Sequence, residues 1–585
     1  MVLSVYAAAP AADRGRAGQP VQRPDDLAME EFDPGIFIAF PTVEVTGEHR
    51  AMLRFETATI APAARVFLGI YEPDGRAMTP RFREVAVEKT KIPGTKHLIE
   101  LDLARLARPT IDAAGFGERG GGVVAYRVEV YDRHAAGSAF YEGRFAYRGD
   151  RRVPAIVAGP FVDLVGERGA VVSFDTDLPV TATLVLDGAA RAAGGPRTRF
   201  EIALDDLEPG RAYTYAVAIG TEDFEDRTRE FRFRTREAKS ERLRFAILGD
   251  SREGVGGGER QYGGVNYRTL TRLLVDARAR GAEFVIHSGD LVNGYTSNAA
   301  YFAAQLAMFK KAEETIGAEI PIYEAMGNHE ITMDVYKDGS PGGIEFDKTG
   351  EKSSEAIFAA AFVNPLNAPA PAAAGAPPYT ENVYYFDQGP ARFVVMNNNY
   401  WYVSQAEKYG GNLEGYVLDD QLAWLRRVFD EAAKSKRVKH VFLIAQEPMF
   451  PTGGHTADAM WYGGGDPEQN AGVDRRYVIE RRDEIWEAFI GTGKAAAANF
   501  GDEHNYSRMR VTDALNPDFK TPAWQIISGG AGAPFYAKDP NVPWADRVEK
   551  FSTRMHYTLF DVDGDTVRLR VYDVNGELIE DVRLK

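Results

Sequence analysis

Two kinds of hydrophobic spacing divide the chain. Up to about residue 236, apolar and polar residues alternate over short runs. Leu98-Ile99-Glu100-Leu101-Asp102-Leu103 and Tyr126-Arg127-Val128-Glu129-Val130-Tyr131 are the clearest cases. A period of two places successive side chains on opposite faces, as in half-buried antiparallel strands. Residues 170–174, 181–186 and 231–235 follow the same rule. From about residue 242 the spacing changes. Apolar runs at 244–248, 284–286, 320–325, 393–396 and 441–445 predict buried strands, and segments at 267–280, 299–316, 418–433 and 473–490 carry helical periodicity. Strands alternating with helices predict an α/β domain. Strands return at 523–527, 557–562, 566–572 and 578–584.

The predicted organisation is therefore a disordered N-terminus over 1–30, a β-sandwich over 31–150, a second sandwich over 151–238 and an α/β domain over 239–585. Two segments, 332–378 and 451–472, are longer than compact connections need, which marks them as functional or disordered.

Composition narrows the picture. With 44% hydrophobic and 26% charged residues, the chain is of the globular kind. A formal charge of −16 argues against a nucleic-acid-binding surface, because phosphate backbones recruit basic faces. It leaves room for a small phosphorylated substrate held through metal ions. The chain has no Cys, so disulfides, thiolate metal sites and Cys nucleophiles are excluded. No run of about 18 apolar residues occurs, so no membrane span is expected.

The candidate chemistry sits at strand ends. Gly249-Asp250-Ser251-Arg252, Gly289-Asp290 and Gly327-Asn328-His329-Glu330 each follow a predicted strand. Asp250 and Asp290 are 40 positions apart (290 − 250), and Asp290 and Asn328 are 38 apart (328 − 290). Each interval fits one strand–helix–strand unit, so the carboxyl ends of parallel strands should bring these groups to one edge of a sheet. Oxygen-rich clusters of carboxylate and amide suit divalent metals. His287, just before Gly289, is expected to pack at the strand end.

These motifs resemble those of the calcineurin-like metallophosphoesterases, including purple acid phosphatases. Gln421-Leu422-Ala423-Trp424-Leu425, Glu447-Pro448, Gly501-Asp502-Glu503-His504 and Ser528-Gly529-Gly530 add to the likeness. The Pro209-Gly210 turn ahead of Tyr213-Thr214-Tyr215 resembles the corner of fibronectin type III sandwiches, and purple acid phosphatases carry such a domain before the catalytic one. The resemblance implies a four-layer β-sandwich flanked by helices, preceded by two all-β sandwiches. It implies hydrolysis of a phosphomonoester or phosphodiester by a metal-bound hydroxide, with one or two divalent ions (Mn, Mg, Ca, Fe or Zn). Asp250, Asp290 and His504 would hold the first ion. Asp290, Asn328, Gln446 and Asp502 would surround the second. His329 would meet the leaving oxygen. Apart from the resemblance, the fixed charge of Arg252 suits a catalytic and substrate-binding role, and His455, in a Gly-rich loop, could reach the substrate or replace the missing His as a ligand. Exported relatives share this domain order, which implies a secreted or periplasmic location.

Three positions depart from the family pattern. Arg252, Gln446 and Asp502 each stand where His is usual. Asn293 stands where purple acid phosphatases have their iron-binding Tyr, and Tyr295, two residues on, would face away from an extended segment. A charged Arg252 could clamp a phosphate with two donors, or it could pair with Asp502, replace one metal ion and silence the site. The alternative reading is thus a degenerate member that binds a ligand or partner without turnover.

Overall fold

The computed structural model describes residues 29–31, 35–71, 80–112, 115–133, 137–252, 263–332, 334–336, 344–345, 353–372, 377–399, 414–470 and 474–585. Most of the expected disordered segment and much of the 332–378 loop lie outside the described residues. Met29–Glu31 forms a short strand paired antiparallel with Asp334–Tyr336.

The alternating segments fold as two β-sandwiches. The first packs a three-stranded sheet (Phe37–Gly47, Arg50–Ala61, Gly94–Asp102) on a five-stranded one running from Glu84–Val87 to Arg151–Val153. Their inward residues, such as Leu53, Ile99, Leu101, Val128 and Phe145, form one core. In the second, the two predicted strands 170–174 and 181–186 are halves of one long strand, Ala170–Leu186. Its register shifts between Asp175 and Val180, where Pro179 has no N–H to give the ladder. The Tyr213 hydroxyl accepts the Glu208 backbone N–H at 2.7 Å, closing the corner. The Tyr215 hydroxyl donates instead to the Ala318 carbonyl at 2.9 Å, which ties the sandwich to the domain that follows.

That domain has four layers. One six-stranded sheet orders its strands Ile322–Glu324, Val285–His287, Arg242–Leu248, His556–Asp563, Thr566–Asp573 and Leu578–Arg583. The first three run parallel. A seven-stranded sheet faces it, with Ala391–Val395, His440–Ile444, Ala495–Phe500 and Ala523–Ser528 parallel at its centre. Between the sheets Phe245 stacks on Phe284 and Phe560 and meets Phe393 and Phe442 edge-on, with centroids 4.8–5.3 Å apart. Tyr267–Ala279 and Ala299–Glu313 cover the outer face of the first sheet. Asp419–Lys434 and Arg476–Gly491 cover the second. No helix among the described residues is long and apolar enough to cross a membrane.

One buried ion pair locks the first sandwich to this domain. Arg144 forms a fork with Glu314, one arm at 2.9 Å, and its guanidinium lies 3.7 Å over the Tyr71 ring. Glu314 also accepts from the Gly159 N–H at 3.0 Å. Replacing one partner leaves a buried charge uncompensated. Arg144→Met should cost about 3–5 kcal/mol in urea unfolding, and adding Glu314→Met should return part of it. A loss under about 1 kcal/mol in the single variant would show that the pair is not holding the sandwich in place.

Candidate metal centre

The site forms where the carboxyl ends of both sheets' parallel strands meet. Asp250 follows Arg242–Leu248, Asp290 follows Val285–His287, and Asn328 and His329 follow Ile322–Glu324. Gln446 follows His440–Ile444 in the other sheet, and Asp502 and His504 follow Ala495–Phe500. Asp250, Asp290, Asp502 and His504 all have φ between 45° and 68°. Left-handed backbone at four non-glycine positions is strain of the kind that collects at functional sites. Glu330 braces the turn. Its carboxylate accepts from the N–H groups of Gly327, Asp290, Leu291 and Val292 at 2.8–3.1 Å.

Ligand atoms of Asp250, Asp290 and His504 all lie within 4.8 Å of one another, and all three residues are buried. Among the described residues no other trio of carboxylate and imidazole groups gathers so closely. Gln446 Nε2 and the Asp502 N–H donate to Asp250 Oδ1 at 3.0 and 2.8 Å. The His329 N–H donates to Asp290 Oδ1 at 3.1 Å. Asn328 Nδ2 donates to the Tyr295 hydroxyl at 3.0 Å and to Glu414 at 3.4 Å. In each case one polar atom is anchored and its partner is left open. Asp250 Oδ2, Asn328 Oδ1, Gln446 Oε1 and Asp502 Oδ2 are buried and find no donor among the described residues, while Asp290 Oδ2 and Asp502 Oδ1 have only the longer ion pairs to Arg252 and His455, each at 3.5 Å. Buried acceptors without donors are costly, and a cation satisfies them. The residues present therefore fit divalent metal.

The histidines divide by charge. His504 Nδ1 lies 2.5 Å from the Pro534 carbonyl and His329 Nδ1 lies 2.6 Å from the Asn293 carbonyl. Those nitrogens carry the protons, which leaves each Nε2 with its lone pair facing the site. Burial and then Arg252 hold both imidazoles well below their usual range, so both are neutral. For His455, burial alone would do the same. Asp502 and Asp458, 3.5 and 3.2 Å away, instead hold it well above that range.

Arg252 bridges the first group, with Nε 3.5 Å from Asp290 Oδ2 and one terminal nitrogen 3.3 Å from His504 Nε2. The sequence reading had considered a pairing with Asp502; the ion pair found is with Asp290. Tyr295 is a second correction. Gly294 and Tyr295 have φ of 51° and 45°, so this segment doubles back and is not extended. A side chain at Gly294 would meet the His329 carbonyl at 1.3 Å. The fold-back sets the Tyr295 ring edge-on to His329, with centroids 4.4 Å apart. His287 lies behind the site, 3.0 Å from the Ser251 hydroxyl and against Phe309. The structure thus gathers Asp250, Arg252, Asp290, Asn328, His329, Gln446, His455, Asp502 and His504 into one connected cluster. It adds Asn399 and, with no role assigned to them by the sequence, Tyr295, Glu414, Glu447 and Asp458. Adjacency to Gln446 was the available signal for Glu447; Glu414 and Asp458 lie in loops without one.

The model of the calcineurin-like phosphoesterase family matches residues 243–471. Those residues form a calcineurin-like phosphoesterase domain. The match stops before Asp502 and His504, but the strand leading to them pairs in parallel with His440–Ile444, so the phosphoesterase sheet continues past it. No curated protein matches the chain. Among solved structures, a dimetal phosphatase from Danio rerio is similar at 14% identity over 59% of this chain and 98% of its own, with a TM-score of 0.36. The central fibronectin-III array of RIM-binding protein is similar at 12% identity over 37% of this chain and 76% of its own, with a TM-score of 0.17. No residue role is taken from either.

The carboxylates of this site resist ionisation without a cation. Burial and then Asp290 push Asp250 well above the usual range, and burial pushes Asp290 up to about 6 against the pull of Arg252. A raised carboxyl pKa favours the folded, metal-free chain at low pH, and that contribution is lost as pH rises through about 6. Metal binding displaces the same protons. The Kd for Mn2+ should weaken as pH falls through about 6, by about tenfold per unit for each proton displaced. Calorimetric titration across that range checks it; an affinity independent of pH would contradict it.

Proposed function

We propose that the chain is a metal-dependent phosphoester hydrolase acting on a small phosphomonoester or phosphodiester. The supporting observation is the close trio Asp250, Asp290 and His504, together with the buried, donor-free oxygens on Asp250, Asn328, Gln446 and Asp502 beside it. Asp250, Asp290 and His504 would hold one ion, with Asp290, Asn328, Gln446 and Asp502 around a second. Bound there, divalent ions would supply water activation and spread the charge that develops on phosphoryl oxygens. The remaining work falls to side chains. Arg252, 15% exposed, presents a fixed fork that can take two phosphoryl oxygens. Protonated His455 adds a second positive donor. Neutral His329, steadied by the Asn293 carbonyl and the Tyr295 ring, presents Nε2 as an acceptor, so it would take up a proton there from the attacking water or solvent before giving it to the leaving oxygen. The two sandwiches ahead of the phosphoesterase domain favour a secreted or periplasmic location.

A second reading draws on Arg252. Its guanidinium reaches both Asp290 and His504, so it can stand in for one cation and leave a ligand-binding module without turnover. Hydrolysis of an aryl phosphate monoester and diester with added Mn2+, Mg2+, Ca2+ or Zn2+ separates the two. The hydrolase reading expects metal-dependent turnover that falls at least about 1,000-fold in Asp290→Asn, a loss of about 4 kcal/mol of transition-state stabilisation. No turnover with any ion would favour the binding module.

A further inference from the structure

We propose that Tyr536 is a positioning residue for the metal centre: its ring clamps the His504 imidazole so that Nε2 stays aimed at the first metal position. This rests on the metal-dependent hydrolase reading and names the part of the chain that orients His504. The family match ends at residue 471, so it covers neither residue.

A hydrogen bond at one nitrogen fixes a single point of an imidazole, and the ring can still rock about it. His504 Nδ1 is fixed in this way by the Pro534 carbonyl at 2.5 Å. Rocking would swing Nε2, 3.6 Å from Asp250 Oδ1, away from the two carboxylates with which it would share an ion. Tyr536, two residues after Pro534, removes that freedom. Its ring stacks on His504 with centroids 4.6 Å apart and planes 21° from parallel. It also meets His455 edge-on, with centroids 5.1 Å apart. Both are arrangements that aromatic rings prefer. One loop thus supplies an in-plane restraint and a face restraint on the same ligand, which is how groups around a metal site orient its ligands. Tyr536 is only partly buried, so core packing does not explain its place.

The chain just before His455 is built to seat this ring. A Cβ on Gly454 would lie 2.3–2.6 Å from Cγ, Cδ1 and Cδ2 of Tyr536, and one on Gly453 would lie 2.7 Å from the Ala537 carbonyl. Glycine at both positions lets the two loops come this close. Asp539 closes the seam. Its N–H donates to the Thr452 carbonyl at 2.8 Å, and its carboxylate accepts from the Thr456 hydroxyl at 3.1 Å. Glu503, next to His504, holds the same loop from the other end. Oε1 accepts the His455 N–H at 3.1 Å, and Oε2 accepts the Thr452 hydroxyl at 3.2 Å. The paired glycines, Tyr536 and both imidazoles therefore form one unit. It keeps the metal-facing His504 and the phosphate-facing His455 in fixed relation.

The test is calorimetric Mn2+ binding to the full chain, with circular dichroism as the check of folding. Tyr536→Ala should weaken binding by roughly 10–100-fold, the range typical of a group that acts through a ligand. Tyr536→Phe keeps the ring and should stay within about threefold of the parent. Gly454→Ala should push the ring off His504 and bring a similar loss. In the Tyr536→Ala background the added methyl meets no ring, so Gly454→Ala should cost nothing further. If Tyr536→Ala does not fold, Tyr536→Leu, which lacks a planar ring, carries the affinity comparison. An affinity within about threefold of the parent in Tyr536→Ala overturns the proposal. So does an equal loss in Tyr536→Phe, or a Gly454→Ala loss that persists in full in the Tyr536→Ala background. Aryl phosphate turnover on the same samples separates this proposal from the hydrolase reading. Ring-dependent Mn2+ binding without turnover keeps the proposal and removes the hydrolase. Turnover with ring-independent binding does the reverse.

Discussion

Buried oxygen atoms without donors are the constraint on which this site depends. Asp250, Asn328 and Gln446 share one pattern: one polar atom is fixed by a hydrogen bond and the other is left open. The fixed atom sets orientation. The open atom carries a desolvation cost of about 1–3 kcal/mol if nothing meets it. Such an arrangement is poor as packing and sensible as a coordination shell held ready for an ion.

The rest of the phosphoesterase domain keeps those atoms in place. Parallel strands in both sheets deliver turns to one edge, and the Phe245 stack fixes one sheet against the other. Glu330 shows how much structure goes into a single turn. It binds four backbone N–H groups on two strand ends, so Asp290 and Asn328 are positioned by one carboxylate that touches no ligand atom itself. The sandwiches act further out. Arg144 and Tyr215 grip the end of the helix Ala299–Glu313 and the turn after it, which leads into the strand that carries Asn328.

The legible part of the site was the part written in local grammar. Apolar runs followed by Gly-Asp or Gly-Asn-His located three strand ends, because a strand buried on both faces leaves a continuous hydrophobic run. Tyr295 was misplaced because two consecutive left-handed residues undo the alternation that an extended segment would impose. The strands 170–174 and 181–186 were read as two because Pro179 and a register shift interrupt a single strand. Glu414 and Asp458 could not be read from spacing at all. They reach the site from separate loops and strand ends, and their role depends on which oxygens face one another.

The account rests on cations answering the open oxygens, and the most direct measurement is anomalous X-ray scattering from crystals soaked in Mn2+. Two peaks are expected, one among Asp250, Asp290 and His504, the other between Asp290 and the Asn328–Gln446–Asp502 group. Arg252 should move off Asp290 and His504 when they appear. An empty site after soaking, with Arg252 still bridging Asp290 and His504, would contradict the account and leave a phosphoesterase frame that carries its own cation.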